Sequence, residues 1–170
     1  EGYHSSVDML FLEPLWEALR DELPKATTLL DSFGFAIANH FARYDRQPDF
    51  GPLIERARGG QPAFVMGLSE IHAYALVFHG RDLYYGNRGY GARHTGVLKY
   101  RLPTAYLSEE FLRSLVCPKS MRALQAALDT LVPFQPPAVV ATKTTQKRGD
   151  CTLNTAHMAL DTLICEGEGH

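Results

Sequence analysis

Two short runs carry residue types that do chemistry together. The later run is Gln146-Lys147-Arg148-Gly149-Asp150-Cys151-Thr152-Leu153-Asn154-Thr155-Ala156, with a glutamine five positions before a cysteine and a glycine between them. The cysteine opens a stretch that reads as a helix. A thiol at a helix N-terminus lies in the field of unpaired N–H groups, which favours the thiolate, the nucleophilic form. A glutamine just upstream can donate a hydrogen bond to an oxyanion, with the backbone N–H of Cys151 as second donor. Asp150 as a bare charge would raise the thiol pKa. It reads instead as the helix cap, accepting backbone N–H bonds. By itself a cysteine on a helix is usually an inert packing residue, so the reading rests equally on the second run.

That run is Ile71-His72-Ala73-Tyr74-Ala75-Leu76-Val77-Phe78-His79, rich in β-formers, then Gly80-Arg81-Asp82 as a turn and Leu83-Tyr84-Tyr85 as a second strand ending at Asn87. A histidine thus begins one strand and an asparagine ends the next, fifteen positions on. Antiparallel neighbours lie about 5 Å apart, so the open ends of such a hairpin meet. Asn87 is expected beside the ring of His72. A cysteine–histidine pair needs such a third group to hold the imidazole in one tautomer and orientation. Asp82 is the rival orienting acid, but it sits at the far end of the hairpin. Asn-x-Gly is also ordinary turn chemistry, the plainer reading of Asn87.

These residues resemble the papain-like cysteine peptidase superfamily. There a glutamine precedes the nucleophilic cysteine at a helix start, a histidine begins a strand, and an asparagine or aspartate on the next strand orients it. Gln146, Cys151, His72 and Asn87 match those four types. The order is inverted: the family runs Gln–Cys–His–Asn and this chain runs His–Asn–Gln–Cys, as in a circular permutation. His72-Ala73, the Asn87-Arg88-Gly89 turn and the late Gln-Lys-x-Gly-x-Cys run are also similar to secreted bacterial effector domains. Two positions depart from the family. Tyr90 stands near where a tryptophan often shields the His–Asn bond, and Thr152 and Leu153 follow the cysteine where an aromatic often does. The resemblance covers the two runs and little else.

What the resemblance implies is a cysteine protease with a Cys151–His72–Asn87 triad and Gln146 as oxyanion donor. It further implies a protein substrate from a host and a secreted effector delivered to the host cytosol. No cofactor and no metal are expected. Alternatives on the same fold are a glutamine deamidase or transglutaminase; a catalytically inactive binding module is another. The triad defines the acyl-thioester chemistry and leaves the acceptor open.

Composition agrees with one compact enzyme domain. The 170 residues suffice for a single sizeable core, and 45% hydrophobic with 21% charged residues argues against disorder. A net charge of −2 with scattered cations gives no footprint for nucleic acid. No apolar stretch approaches the ~18 residues of a membrane span. Cys117, Cys151 and Cys165 are odd in number and widely spaced, which suggests free thiols in a reducing compartment. Cys117 and Cys165 read as packing thiols. His157 would face away from Cys151 on a helix. The histidines offer no metal spacing: there is no His-Glu-x-x-His or Cys-x-x-Cys, and strand alternation sends His72 and His79 to opposite faces. Gly89-Tyr90-Gly91 lacks the helix and lysine of a phosphate loop. The chain starts at Glu1 without a leader, and it reads as a domain excised from something longer.

The elements that must position these groups make an α+β fold, a papain-like central antiparallel sheet packed against helices, with the nucleophile opening the C-terminal helix. One domain is expected over 1–170: helical over 1–60, sheet over 61–102, helical over 107–132, and the cysteine helix over 151–165. Asp8 can cap a helix over 9–22, and Pro24 can start a second, bent or ended at Gly34. Leu53 to Arg58 reads as a short helix, Pro62 to Met66 as a strand, and Gly96 to Leu102 as another. Ser108 and Ser120 each read as a helix start. Val139 to Thr145 is either a strand or an approach loop to Gln146.

Overall fold

The computed structural model describes residues 48–69, 72–89 and 92–143, together with Glu17, Asp31, Ser32, residues 34–36, Met158 and Thr162. Helix α1 spans Gly51–Arg58, and Gly59 follows its last residue. Pro52 sits in its first turn, where a missing N–H costs nothing. Asp49 Oδ1 accepts from the Gly51 N–H at 2.8 Å, satisfying one of the orphan donors. Leu53 and Ala57, four apart, form its buried stripe.

Five strands follow, β1 (Ala63–Ser69), β2 (His72–His79), β3 (Asp82–Asn87), β4 (Gly96–Arg101) and β5 (Ala138–Thr142). They form one antiparallel sheet in chain order, β1-β2-β3-β4-β5. Between β4 and β5 run a 3-10 turn (Thr104–Tyr106), α2 (Glu109–Val116) and α3 (Met121–Asp129). Ser108 caps α2 by accepting from the Phe111 N–H, and Ser120 caps α3 by accepting from the Ala123 N–H. Glu109 and Glu110 in the first turn of α2 complement the helix dipole.

Side chains alternate along each strand, so each face of the sheet has its own set. Val65, Tyr74, Leu76, Phe78, Leu83 and Tyr85 pack with Leu53 of α1, Leu112 and Leu115 of α2, and Leu124 and Leu128 of α3 in the main core. The opposite set, including Phe64, Ala75, Val77, Tyr84 and Val97, is buried as well. Helical Met158 belongs there: a methyl built on Gly86 would lie 3.2 Å from the Cβ atoms of both Met158 and Ala75. The central strands are therefore covered on both sides. This is why β2 is buried at seven consecutive positions and its sequence reads as an unbroken apolar run rather than an alternating one.

Several boundaries differ from expectation. β1 continues past Met66 because Gly67, Leu68 and Ser69 pair with Tyr74, Ala73 and His72. β3 starts one residue early, with Asp82 paired to His79. Residues 138–142 form a strand on β4, with a bulge between Val97 and Leu98. Gly34 is helical, as are Ser32 and Phe35. The 3-10 turn had no local signal. The helix expected over 9–22 is described only at Glu17, which is helical, and the start of the cysteine helix lies outside the described residues. Among the described residues no helix is long and apolar enough to cross a membrane.

Candidate active site

His72 opens β2 and Asn87 closes β3. The β2–β3 pairing runs to Ala75↔Gly86, and its register continued by one step puts Asn87 opposite Tyr74 and diagonal to His72 on the same face. Diagonal neighbours are within reach of two polar side chains. The His72 Nε2 to Asn87 Oδ1 distance is 2.8 Å, a buried hydrogen bond between residues fifteen apart in sequence. Asn87 is 0% exposed and His72 6%. The hairpin therefore brings together two of the four residues singled out from sequence. Cys151 and Gln146, with Gly149, Asp150, His157, Cys165 and Tyr90, lie outside the described residues.

Two further residues hold the Asn87 side chain. Its Nδ2 donates to the Tyr85 hydroxyl at 2.7 Å, and its Oδ1 accepts the Gly89 N–H at 2.9 Å. Sequence reasoning missed both partners. A signal for Tyr85 was present: it precedes Asn87 by two on a strand and so shares its face. Gly89 lies against the imidazole itself, and a methyl built there would sit 2.9 Å from His72 Cε1. Ser69 is the register partner of His72 on β1, 1% exposed, and its hydroxyl has no hydrogen-bond partner among the described residues.

Burial governs the electrostatics. It lowers the His72 pKa below the usual 6.5, and the Asn87 hydrogen bond opposes part of that shift. The ring is held neutral at neutral pH, the state of a general base. Burial likewise pushes the Tyr85 phenol well above its usual range, so it stays protonated beside Asn87. At the other end of the hairpin, Asp82 pairs with Lys99 Nζ at 2.9 Å and Arg101 Nη1 at 3.1 Å. The rival orienting acid is thus occupied with cations and stands opposite His79, seven residues along β2 from His72. Cys117 is half-buried at the end of α2, and burial raises its thiol pKa, the opposite of activation. Among the described residues no three His, Cys, Asp or Glu side chains gather as a metal site would require.

No protein-family model and no curated protein matches the chain. Among solved structures it is similar to the Legionella effector AnkH, with a TM-score of 0.60 and 18% identity. The likeness covers 88% of this chain and 36% of that one, so this chain spans about a third of that protein's length. At this identity the likeness establishes a shared fold and nothing finer.

Proposed function

We propose that the chain is a papain-like thiol hydrolase, a cysteine protease with Cys151 as nucleophile, His72 as general base and then acid, Asn87 as orienting residue and Gln146 as oxyanion donor. The observation that carries this reading is the buried 2.8 Å bond from His72 to Asn87 at the open end of the hairpin. A neutral histidine, desolvated and oriented by an amide oxygen, is the base such chemistry needs.

The reaction then runs in two halves. His72 Nδ1 takes the Sγ proton, and the thiolate attacks the substrate carbonyl carbon. The Cys151 N–H and the Gln146 side chain hold the oxyanion. The C–N bond breaks as the imidazolium protonates the leaving amine. Water, losing its proton to His72, attacks the thioester and releases the acid and the free thiol. The likeness to a Legionella effector agrees with an effector role, and the substrate we propose is a host protein met in the host cytosol.

The test is intact-mass labelling with limiting iodoacetamide at pH 6. Rapid single labelling is expected, abolished in Cys151→Ala and slowed in His72→Ala. Slow labelling spread over Cys117, Cys151 and Cys165 would overturn the enzyme reading in favour of a binding module.

A further inference from the structure

We propose that Tyr85 and Gly89 are positioning residues that lock the Asn87 side-chain amide, and through it hold His72 as the Nε2–H tautomer. Its catalytic consequence rests on the thiol-hydrolase reading; the lock itself does not.

An asparagine amide has two ends of nearly equal shape and opposite hydrogen-bonding sense. Which end faces His72 decides the ring's chemistry. An oxygen there demands a proton on Nε2 and leaves the basic lone pair on Nδ1. An NH2 group there would donate to Nε2, put the ring proton on Nδ1, and remove the base from the side that must accept a thiol proton. The Gly89 N–H, 2.9 Å from Asn87 Oδ1, is a donor only and rejects the flipped amide. Gly89 therefore sets the polarity.

Tyr85 supplies the rigidity. Its hydroxyl takes the Nδ2 hydrogen at 2.7 Å, in a place too buried for water to substitute. The Tyr85 ring is itself held edge-on to Tyr74, with centroids 5.7 Å apart, and the Tyr74 hydroxyl donates to the Leu115 carbonyl of α2 at 2.6 Å. The orientation of the imidazole is thus referred back to a helix of the main core. Gly89 has a second part. Its φ is not among the positive values found at Gly60, Gly80 and Gly96, so its backbone tolerates a side chain. What forbids one is His72, whose Cε1 lies 2.9 Å from where a methyl would go.

The test reads the tautomer directly. Long-range 1H–15N spectra of the Cys151→Ala protein should show His72 as a single Nε2–H tautomer. Adding Tyr85→Phe, which keeps the ring and removes only the hydroxyl, should let the amide swing away from the Gly89 N–H and admit a minor Nδ1–H population. With Cys151 restored, Tyr85→Phe should slow its iodoacetamide labelling about 10-fold, the scale of one buried hydrogen bond. Gly89→Ala keeps the N–H and displaces the ring, and should slow labelling while leaving β3 and β4 intact. It serves as the second probe if Tyr85→Phe fails to fold. A single Nε2–H tautomer with unchanged labelling in both variants would overturn the lock. If Cys151 proves unreactive in the unmodified protein, the hydrolase reading fails while the tautomer spectra still judge the lock.

Discussion

The two ends of the β2–β3 hairpin solve the same problem in opposite ways. At the turn, Asp82 is partly exposed and balanced by Lys99 and Arg101, both in contact with water. At the open end, His72, Asn87 and Tyr85 are all buried and joined by neutral hydrogen bonds. Water screens the first set, so its pairs are individually weak. No water competes at the second, so each bond there counts for more and each loss leaves an unpaired group behind. The base we propose in His72 needs a place where orientation is costly to disturb, and the buried end offers one.

The sharpest way to break this contrast is Asn87→Ala. It strands the His72 ring N–H and the Gly89 N–H, and a loss of about 1–3 kcal/mol is expected in urea unfolding. Asp82→Asn at the turn should lose less, within about 1 kcal/mol, and that loss should vanish in high salt. If the two variants cost the same and share one salt dependence, burial does not separate the two ends.

The pH response should differ too. Because His72 has a native pKa below its unfolded 6.5, the unfolded chain takes up the proton first as pH falls. Stability should be full above about pH 6.5 and decline below it toward the lower native value. Urea titrations of Cys151→Ala with and without His72→Gln isolate this slope, and an unchanged slope would mean that His72 is not buried neutral. If Cys151 is the nucleophile we propose, its thiolate should keep His72 charged to higher pH than in Cys151→Ala, as NMR titration would show.

Asn87→Asp offers a smaller, opposite change. A carboxylate still accepts from His72 and Gly89, and the Tyr85 hydroxyl can turn to donate to it. The His72 pKa should rise and the Nε2–H tautomer should persist. The smallest effect is expected at Ser69→Ala. Its hydroxyl has no partner among the described residues, so removing it should leave stability unchanged or slightly raised in the same unfolding assay.

Local signals carried much of the architecture. Ser108 and Ser120 announced α2 and α3 because a capping hydroxyl acts within three residues, and both caps are made. The His72 and Leu83 runs announced a hairpin because β-formers flanked a Gly-containing turn. The placement of Asn87 beside His72 was legible as well, since hairpin ends meet by geometry. Residues 138–142 were ambiguous because an apolar run of that length suits a strand or a loop. Pairing with β4 made them a strand. β1 ran through Gly67 against local preference because β2 supplied a full partner there.

By itself, then, the sequence determined the capped helices, the hairpin and the residue types at its open end, all set by contacts a few positions apart. The tertiary structure alone decided that this end is buried, which lowers the His72 pKa. It also decided that Tyr85 and Gly89 grip the two ends of the Asn87 amide, and that Met158 packs against Gly86 on the other face. Those depend on which elements cover the sheet and on ångström-scale approach between strands, and no local spacing encodes either.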